Sequence, residues 1–482
     1  MFETLAQNFD WSWARNAFLV AYALTIISII VVVLSENRNP VKSLAWVTVL
    51  LLLPMLGIVL YLFFGRNIKN TRKLSRRNRR RLKKREKDPE INLREQDLTP
   101  ESVQQITLAK SLTNAPFYAG NDVKVYTNGH DKFADLKRDL AAARHFILLE
   151  YYIFENDNIG NEIADILIER ANAGVAVRVI YDHVGSFTVK NRFFKRMRRA
   201  GIQVYPFFEV TFPQLGTRIN WRNHRKLCVI DGITGYLGGM NIADRYIDGG
   251  KFARWRDTHV RVTGPIVSSL QHSFAVDWHF MGQPLLEPTI PAHVTPPPGG
   301  SVYAQLVTSG PTSQWNNLAL LFHQAISNAR RRVYIQTPYF LPTDALLKDL
   351  HTAALAHVDV RIMIPRHSDS VLLNYASASY ITECLRAGVK IYMYDDGMLH
   401  SKMVITDDEF VTIGSTNFDF RSFEHNFEGN LLFYSREFNS RMLDVYREDL
   451  THCTRITPSL WRKRALHRRV LESVIRLLSP IL

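Results

Sequence analysis

The chain has little cysteine. Its 482 residues include only Cys228, Cys384 and Cys453, at unrelated spacings. An odd count without paired Cys-x-x-Cys units excludes a disulfide framework and a cysteine-based zinc site. The sequence also lacks a Gly-x-x-x-x-Gly-Lys-Ser/Thr loop, which excludes that type of nucleotide site. We therefore expect a reducing compartment, with each thiol serving as a small core residue.

The body of the chain lacks net charge, although the formal total is +15. Residues 66–87 hold 13 Lys/Arg against one Glu, and residues 459–482 hold six against one. The remainder is close to neutral, so it lacks the distributed basic residues that a nucleic-acid groove requires. Basic patches beside apolar sequence favour an anionic lipid surface as partner, and nucleic-acid binding is the weaker interpretation.

Two uncharged apolar runs lie near the amino terminus, Ala17–Leu34 and Leu44–Phe64, which have 18 and 21 residues. Each is long enough to cross a bilayer. Acidic residues before the first run and the second run after it argue against a cleaved signal peptide. We predict a transmembrane hairpin over residues 1–66, with the basic neck that follows it on the cytoplasmic side.

The carboxyl-terminal segment, residues 459–482, mixes arginines with apolar residues that recur at spacings of three and four. This pattern is typical of a helix with one apolar and one basic face. Such a helix would either lie on a membrane surface or pack against the domain, and the sequence leaves both alternatives open.

One motif occurs twice: His-x-Lys, four residues, Asp, and then six residues to a glycine that opens a tail ending in Asn. Its members are His224, Lys226, Asp231, Gly238 and Asn241 in the first copy, and His400, Lys402, Asp407, Gly414 and Asn417 in the second. Two copies with the same tail indicate a duplicated unit. We expect the duplication to bring both histidines, both lysines and both asparagines to one place.

The sequence around the motifs also repeats. Short apolar strands alternate with helical segments, from a strand at Phe146–Tyr152 to one at Ile202–Phe207, and similar phrases recur some 180 residues later. This rhythm predicts an α/β fold with a largely parallel sheet in each of two lobes. We divide the chain into a hairpin (1–66), a basic neck and linker (67–110), a first lobe (111–283), a Pro/Gly-rich linker (284–300), a second lobe (301–458) and a basic tail (459–482).

The repeated residues suit chemistry on a phosphate. Each motif begins in a strand, so His and Lys two positions apart project from one face. A lysine ammonium binds phosphate as a point charge and lowers the pKa of a nearby histidine, which favours the neutral, nucleophilic imidazole. Two such histidines would supply one nucleophile and one general acid. Amide groups of Asn241 and Asn417 would hold phosphoryl oxygens.

These motifs resemble the HKD signatures of the phospholipase D superfamily, and the whole chain is similar to bacterial cardiolipin synthases. The likeness extends to Asn223-His224-Arg225-Lys226, Gly238-Gly239-Met240-Asn241, Thr337-Pro338-Tyr339-Phe340 and Asn426-Phe427-Glu428. It implies two pseudo-twofold-related lobes of mixed sheets flanked by helices, with His224 and His400 as the catalytic pair. It further implies that Lys226, Lys402, Asn241 and Asn417 bind phosphate. An acidic residue downstream of each motif, Asp257 after the first and Glu428 after the second, would orient the histidine by accepting a hydrogen bond. Asp231 and Asp407 would support the motif loops.

The resemblance also implies a reaction. A histidine, by analogy His224, displaces glycerol from phosphatidylglycerol, and the hydroxyl of a second phosphatidylglycerol then attacks to give cardiolipin, with His400 as acid and base. Neither a cofactor nor a metal is implied, and the expected location is the bacterial inner membrane. A phospholipase D-type hydrolase, or a nuclease, would use the same residues, and a non-catalytic scaffold is the third alternative. Lipid preference and oligomeric state leave no trace in the sequence.

Overall fold

The computed structural model describes residues 12–35, 40–61, 91–210, 220–286, 297–477 and 479. The chain divides into two compact units. One comprises Met1–Asn67 with Thr211–Asn220, and the other comprises Ile68–Val210 with Trp221–Leu482. Each unit is described separately below.

The amino-terminal unit is helical where it is described: α1 spans Ser12–Ser35, α2 spans Pro40–Leu52 and α3 spans Pro54–Leu60. The second apolar run is thus divided at Pro54, because a proline has no N–H to donate and its ring clashes with the preceding turn. Among the described helices, none combines the length and the apolarity that crossing a bilayer requires. The transmembrane hairpin therefore stays a prediction, and residues 62–64 of its second run lie outside the described part.

The first element in the described part of the second unit is a short 3₁₀ helix at Leu93–Glu95. The elements of the first lobe follow in this order: α4 Pro100–Thr113, β1 Tyr118–Tyr126, α5 Gly129–Ala141, β2 Phe146–Tyr151, α6 Asn158–Asn172, β3 Ala176–Asp182, α7 Asn191–Arg199, β4 Gln203–Phe207, β5 Lys226–Ile230, β6 Thr234–Gly238, α8 Arg245–Asp248, β7 Trp255–Arg256, β8 His259–Thr263 and α9 Val267–Phe280.

The second lobe repeats this order and adds a carboxyl-terminal extension. Its elements are β9 Val302–Ser309, α10 Asn317–Ser327, β10 Arg332–Gln336, β11 Phe340–Leu341, α11 Asp344–Leu355, β12 Asp359–Pro365, α12 Val371–Ala387, β13 Lys390–Tyr394, β14 Met398–Leu399, β15 Met403–Thr406, β16 Phe410–Gly414, β17 Phe418–Asp419, α13 Phe420–Glu424, β18 Glu428–Tyr434, α14 Arg436–Thr451, β19 Cys453–Ile456, α15 Pro458–Arg462 and α16 Leu466–Arg476.

Both lobes contribute to one 15-stranded sheet. From the junction outward the first lobe runs β1-β8-β6-β5-β2-β3-β4, and the second runs β9-β18-β16-β15-β10-β12-β13 with β19 at the edge. The two orders are the same, as expected for a duplicated unit. The lobes join where β1 pairs antiparallel with β9, across a register shift between Tyr118 and Asn121.

The prediction of a largely parallel sheet is wrong for most of the strands. Within the 15-stranded sheet of the described residues, parallel pairing is confined to β2-β3-β4 and β10-β12-β13, the strands joined by crossover helices. The motif strands β5 and β15 pair antiparallel with both of their neighbours. The reason is local: short turns connect β5 to β6 and β15 to β16, and a short turn can join only antiparallel strands.

Helices cover both faces of the sheet. In β2 the side chains alternate, so that Ile147 and Leu149 pack in one cluster with α5 and α6, while Phe146 and Leu148 pack in another with α9. Strands covered on both faces read as continuous apolar runs, which is why β2 was recognisable in the sequence. Two of the three thiols, Cys228 and Cys384, are buried as expected, and Cys453 is half-buried.

The motif aspartates lie at the ends of β5 and β15 that are remote from the histidines. Asp231 accepts hydrogen bonds from the backbone N–H groups of residues 144, 145 and 146, each at 2.8 Å. Asp407 likewise accepts from the N–H groups of residues 330–332 at 2.8–3.2 Å. Both residues have positive φ, +53° and +49°, a conformation that Asp adopts more readily than most side chains. Each carboxylate therefore fastens its motif turn to the start of the neighbouring strand.

We predict that Asp407→Ala lowers the free energy of unfolding by about 2–4 kcal/mol, because several N–H groups lose a charged acceptor and a left-handed residue loses its preferred side chain. The neighbouring Asp408→Ala is a matched control. Asp408 is half exposed and forms ion pairs with Arg331 and Arg332, so its loss should cost less than about 1 kcal/mol. Thermal or chemical unfolding in mild detergent measures both, and equal losses would contradict the assigned role.

Candidate active site

The backbone that carries His224 is paired with the opposite lobe. Asn223 forms a parallel bridge to Phe427, and the His224 N–H donates to the Phe427 carbonyl at 2.9 Å. In return, the Phe427 N–H donates to the Arg222 carbonyl at 2.8 Å. The first motif is therefore held against the segment that leads into β18, and the residue after Phe427 is Glu428.

The backbone before His400 is paired in the same way. The two-residue strands β14 and β7 are parallel partners, and the His400 N–H donates to the Arg256 carbonyl at 2.7 Å. The residue after Arg256 is Asp257. Each motif histidine thus reaches a carboxylate that the other lobe supplies.

These two carboxylates bind the imidazole Nδ1 atoms. Glu428 places its oxygens 3.0 and 3.1 Å from Nδ1 of His224, and Asp257 places Oδ2 2.6 Å from Nδ1 of His400. An Nδ1–H that donates to a carboxylate fixes the tautomer and leaves the lone pair on Nε2. The resemblance implied that an acidic residue downstream of each motif, Asp257 or Glu428, orients the histidine of that motif. That pairing is wrong, because the backbone pairings at the junction place each acid against the histidine of the other lobe.

The carboxylates are themselves held in place. Ser415 Oγ and Asn426 Nδ2 donate to Glu428, and the Thr258 N–H donates to Asp257 Oδ1 at 2.7 Å. Burial opposes ionisation of Asp257, yet the Lys402 ammonium and the His400 hydrogen bond keep its pKa below the ordinary value. Burial opposes ionisation of Glu428 as well, and His224 and Lys226 keep its pKa low. Both acids are therefore ionised acceptors.

Burial also keeps the histidines neutral. It lowers the pKa of His224 to about 4, with Glu428 opposing and Lys226 reinforcing the change. Burial lowers the pKa of His400 to about 4 as well, with Lys402 reinforcing the change and Asp257 opposing it. At neutral pH each imidazole can therefore act as a nucleophile or accept a proton.

The motif lysines lie beside their own histidines. Lys226 Nζ donates to the His224 carbonyl at 2.5 Å, and Lys402 donates to the His400 carbonyl while lying 2.7 Å from its Nδ1. Since that Nδ1 carries the proton donated to Asp257, we regard the carbonyl as the acceptor for Lys402. Burial lowers the pKa of Lys402 to about 8, with Asp257 opposing, and it also lowers the pKa of Lys226, with Glu428 opposing.

The two asparagines are engaged by the protein. Asn241 donates to the Tyr246 hydroxyl at 2.6 Å and accepts from the Ile153 N–H at 3.1 Å. Asn417 donates to Asp419 at 3.0 Å. An amide carries two N–H donors, so each asparagine has one donor beyond these contacts with which to meet a phosphoryl oxygen. Their role as phosphate ligands stays a prediction.

Aromatic rings that the sequence did not single out surround the histidines. Tyr152 lies edge-on to His224, with 5.0 Å between ring centroids, and the Lys226 ammonium is 5.2 Å from the same tyrosine ring. Trp255 and Tyr246 pack against His400 at 5.5 and 6.1 Å. These rings contribute to the burial of the imidazoles. Trp255 and Tyr152 each adjoin a recognisable segment, but nothing in their spacing indicated contact with a histidine.

Two buried arginines brace the junction of the lobes. Arg256 forms a bidentate pair with Asp449, both contacts at 2.7 Å, and Arg225 contacts Asp277 and donates to the Glu428 carbonyl at 3.0 Å. Asp277 and Asp449 occupy corresponding ends of α9 and α14. Their arginine partners do not occupy corresponding positions: Arg225 lies within the first motif, whereas Arg256 directly precedes Asp257. The two lobes therefore differ in how each aspartate is paired.

Comparison with known proteins gives a consistent result. Residues 136–278 and 322–450 match the family model described as "Cardiolipin synthase, PLD-like domain", and residues 23–66 match "Phospholipase_D-nuclease N-terminal". A cardiolipin synthase of Halalkalibacterium halodurans is 39% identical over 99% of this chain and 96% of its own length. The major cardiolipin synthase ClsA of Bacillus subtilis is 39% identical, with coverage of 96% and 98%.

A solved structure shares the fold. The phosphatidylserine synthase of Haemophilus influenzae aligns with a TM-score of 0.62, covering 79% of this chain and all of its own, at 15% sequence identity. At this level of identity the likeness concerns the arrangement of the two lobes only.

The lowered histidine pKa values predict a pH dependence of stability. Unfolded imidazoles titrate near 6.5, whereas His224 and His400 take up protons only near pH 4. Between these values the unfolded state binds more protons, so the free energy of unfolding falls as the pH falls, by about 1.4 kcal/mol per pH unit for each histidine. The free energy of unfolding should therefore fall more steeply between pH 7 and pH 4 for the parent than for the double variant His224→Asn/His400→Asn. Parallel pH profiles would contradict the assignment.

Proposed function

Because the chain belongs to the phospholipase D-like family of cardiolipin synthases, we propose that it condenses two phosphatidylglycerol molecules to cardiolipin and glycerol. The observation that carries the proposal is the exchanged pair of carboxylates at the junction of the lobes. Two neutral imidazoles, each with Nδ1 bound to an acid, adjoin two lysines in one buried site. This arrangement suits a phosphodiester exchange in two steps.

In the first step, Nε2 of His224 attacks the phosphorus of the donor phosphatidylglycerol. The bond from phosphorus to the glycerol oxygen breaks, and His400 gives that oxygen a proton. The products are glycerol and a phosphatidyl-histidine. An anionic phosphate entering the site raises the proton affinity of His400, which is how a histidine with a low pKa in the empty site becomes the acid.

In the second step, the primary hydroxyl of another phosphatidylglycerol gives its proton to His400 and attacks phosphorus. The phosphorus–nitrogen bond breaks, cardiolipin forms and His224 is restored. One phosphodiester replaces another, so the exchange requires no nucleotide. The shorter hydrogen bond of His400, 2.6 Å to Asp257, supports its role as the group that gains and returns the proton.

Four side chains would hold the phosphate: Lys226, Lys402, Asn241 and Asn417. The lysine ammonium groups would supply the positive charge for which other phosphoryl transferases use a metal, and the asparagines would donate their remaining N–H groups. Asp231 and Asp407 would act on this cradle only through the turns that they fasten. Their place in the motif is therefore structural.

We further propose that the chain is a membrane protein of the bacterial inner membrane. The apolar character of α1, α2 and α3 supports this, as do exposed apolar side chains such as Leu24, Leu44 and Leu52 that lipid would cover. The match of residues 23–66 to an amino-terminal family model supports it as well. The basic neck would hold the catalytic lobes on the cytoplasmic side.

The reaction is tested by incubating the full chain, in detergent or lipid, with phosphatidylglycerol as the only phospholipid. We expect cardiolipin and glycerol in equal amounts by mass spectrometry. His224→Ala and His400→Ala should each lower turnover on the order of 10³-fold or more, since each removes a group that the chemistry needs. Phosphatidic acid as the sole product would indicate the hydrolase instead, and an active double variant would refute the site.

The exchange of carboxylates is tested by Asp257→Asn and Glu428→Gln. If both acids serve one site, each variant should lose most of its activity, on the order of 10²–10⁴-fold, because the imidazole tautomer is no longer fixed. The double variant should lose far less than the product of the two factors. Glu169→Gln, an exposed carboxylate on α6, is the control. Two independent sites would instead leave each single variant with about half of the parent turnover.

A further inference from the structure

The carboxyl-terminal helix α16 has its apolar face turned outward. Leu466, Val470, Val474 and Leu477 recur at spacings of four, four and three, and their exposed fractions are 71, 55, 53 and 80%. A helix on the surface of a soluble domain normally directs such a stripe inward. Here the stripe faces away from the domain and, with Arg469, lines one shallow groove.

The inward face of α16 combines Ile475, which is buried in one cluster with Tyr380 and Ile381 of α12, with charged side chains that make fixed contacts. Glu472 is buried and contacts both Arg464 and Arg468, and Arg476 forms an ion pair with Glu383 of α12 at 2.6 Å. The Arg476 guanidinium also lies 4.2 Å from the Tyr380 ring centroid. The helix is therefore anchored on α12 by the burial of Ile475 and by the contacts of Arg476, and this orientation leaves the apolar stripe outward.

The alternative that the tail packs on the domain therefore applies to the inward face of α16, and the membrane alternative stays a prediction for the outward face. One face packs on the domain, and the other remains open for a second partner. Arg469 lies in the groove beside the stripe, and Arg462 and Lys463 are exposed shortly before α16 in the chain. A partner that combines an apolar layer with negative charge therefore fits this face. The headgroup region of an anionic bilayer has this combination, since apolar side chains enter the acyl boundary and arginines meet the phosphates.

The helix is also connected to the candidate active site. It packs along α12, with Arg468 near Tyr375 and Arg476 near Tyr380. The residue two positions before α12, Asp369, interacts electrostatically with His400 and Lys402. The helix α12 therefore lies between α16 and a residue that interacts with the second motif.

We propose that the outer face of α16 is a docking surface for the headgroup region of an anionic phospholipid bilayer. The residues that make this contact are different from those of the phosphate site. It would act on the orientation of the catalytic lobes at the bilayer and not on the bonds that are made and broken. The proposal goes beyond phosphatidyl transfer and does not depend on it.

The test is to attach an environment-sensitive fluorophore to Val474→Cys in the full chain and to reconstitute it with vesicles of either phosphatidylglycerol and phosphatidylcholine or phosphatidylcholine alone. We expect a blue shift and quenching by lipids that carry a doxyl group, strongest in the anionic vesicles. Ile233→Cys is the matched control, because this side chain is 54% exposed but lies in the β5–β6 turn beside Asp231. The parent protein corrects for labelling of Cys453, since the other two thiols are buried.

A second pair of variants tests the consequence for turnover. Val470→Glu/Val474→Glu should weaken doxyl quenching at a label on Leu477→Cys and lower turnover in dilute phosphatidylglycerol vesicles by on the order of tenfold. Ile233→Glu should alter neither. If the chain lacks the proposed transferase activity, the quenching result is unaffected, so the two proposals fail separately.

Two outcomes would overturn the proposal. Absence of quenching at position 474 in anionic vesicles would show that lipid does not cover the stripe. Energy transfer between labelled copies that is independent of lipid would show that a second copy of the chain covers it.

Discussion

The structure depends on one exchange: each lobe supplies the carboxylate that fixes the histidine of the other. Glu428 binds Nδ1 of His224 and Asp257 binds Nδ1 of His400, and all four groups are buried. A buried carboxylate or imidazole without its partner is costly, and the backbone pairing that brings each pair together also crosses between lobes. Neither lobe alone therefore contains a complete site, and the junction that creates the site also stabilises the fold.

The exchange also explains the chemistry. Without the carboxylates, burial would leave two weakly basic imidazoles whose tautomers are not fixed. Without the buried imidazoles, the carboxylates would pair with the lysines. Together they produce neutral rings with defined Nε2 lone pairs, next to ammonium groups held by the histidine carbonyls. The motif spacing follows from this, since Lys226 and Lys402 must turn back to the histidine two residues earlier. The third motif residue, Asp231 or Asp407, lies at the other end of the strand, where it fastens the motif turn to the neighbouring strand.

The sequence was most informative where a strand is buried on both faces. The strand at β2 and the motif strand β5 could be located closely, because continuous apolar runs leave little choice of structure. The continuous sheet and the antiparallel pairing of the motif strands depend on contacts or turns that one-dimensional patterns do not specify. The break at Pro54, in contrast, follows from the proline itself. Sequence patterns do not specify the pairing of Glu428 with His224 either, since it joins positions more than 200 residues apart. Tyr152 and Trp255 reach the histidines only through the folded junction.

The measurement that tests the central claim most directly is the number and position of covalent adducts per chain. Enzyme mixed with phosphatidylglycerol is quenched within a turnover, and its intact mass and peptides are analysed by mass spectrometry. One site built from two lobes predicts at most one phosphatidyl group per chain, on the peptide that contains His224. Two groups per chain, or equal labelling of the peptides with His224 and His400, would contradict it.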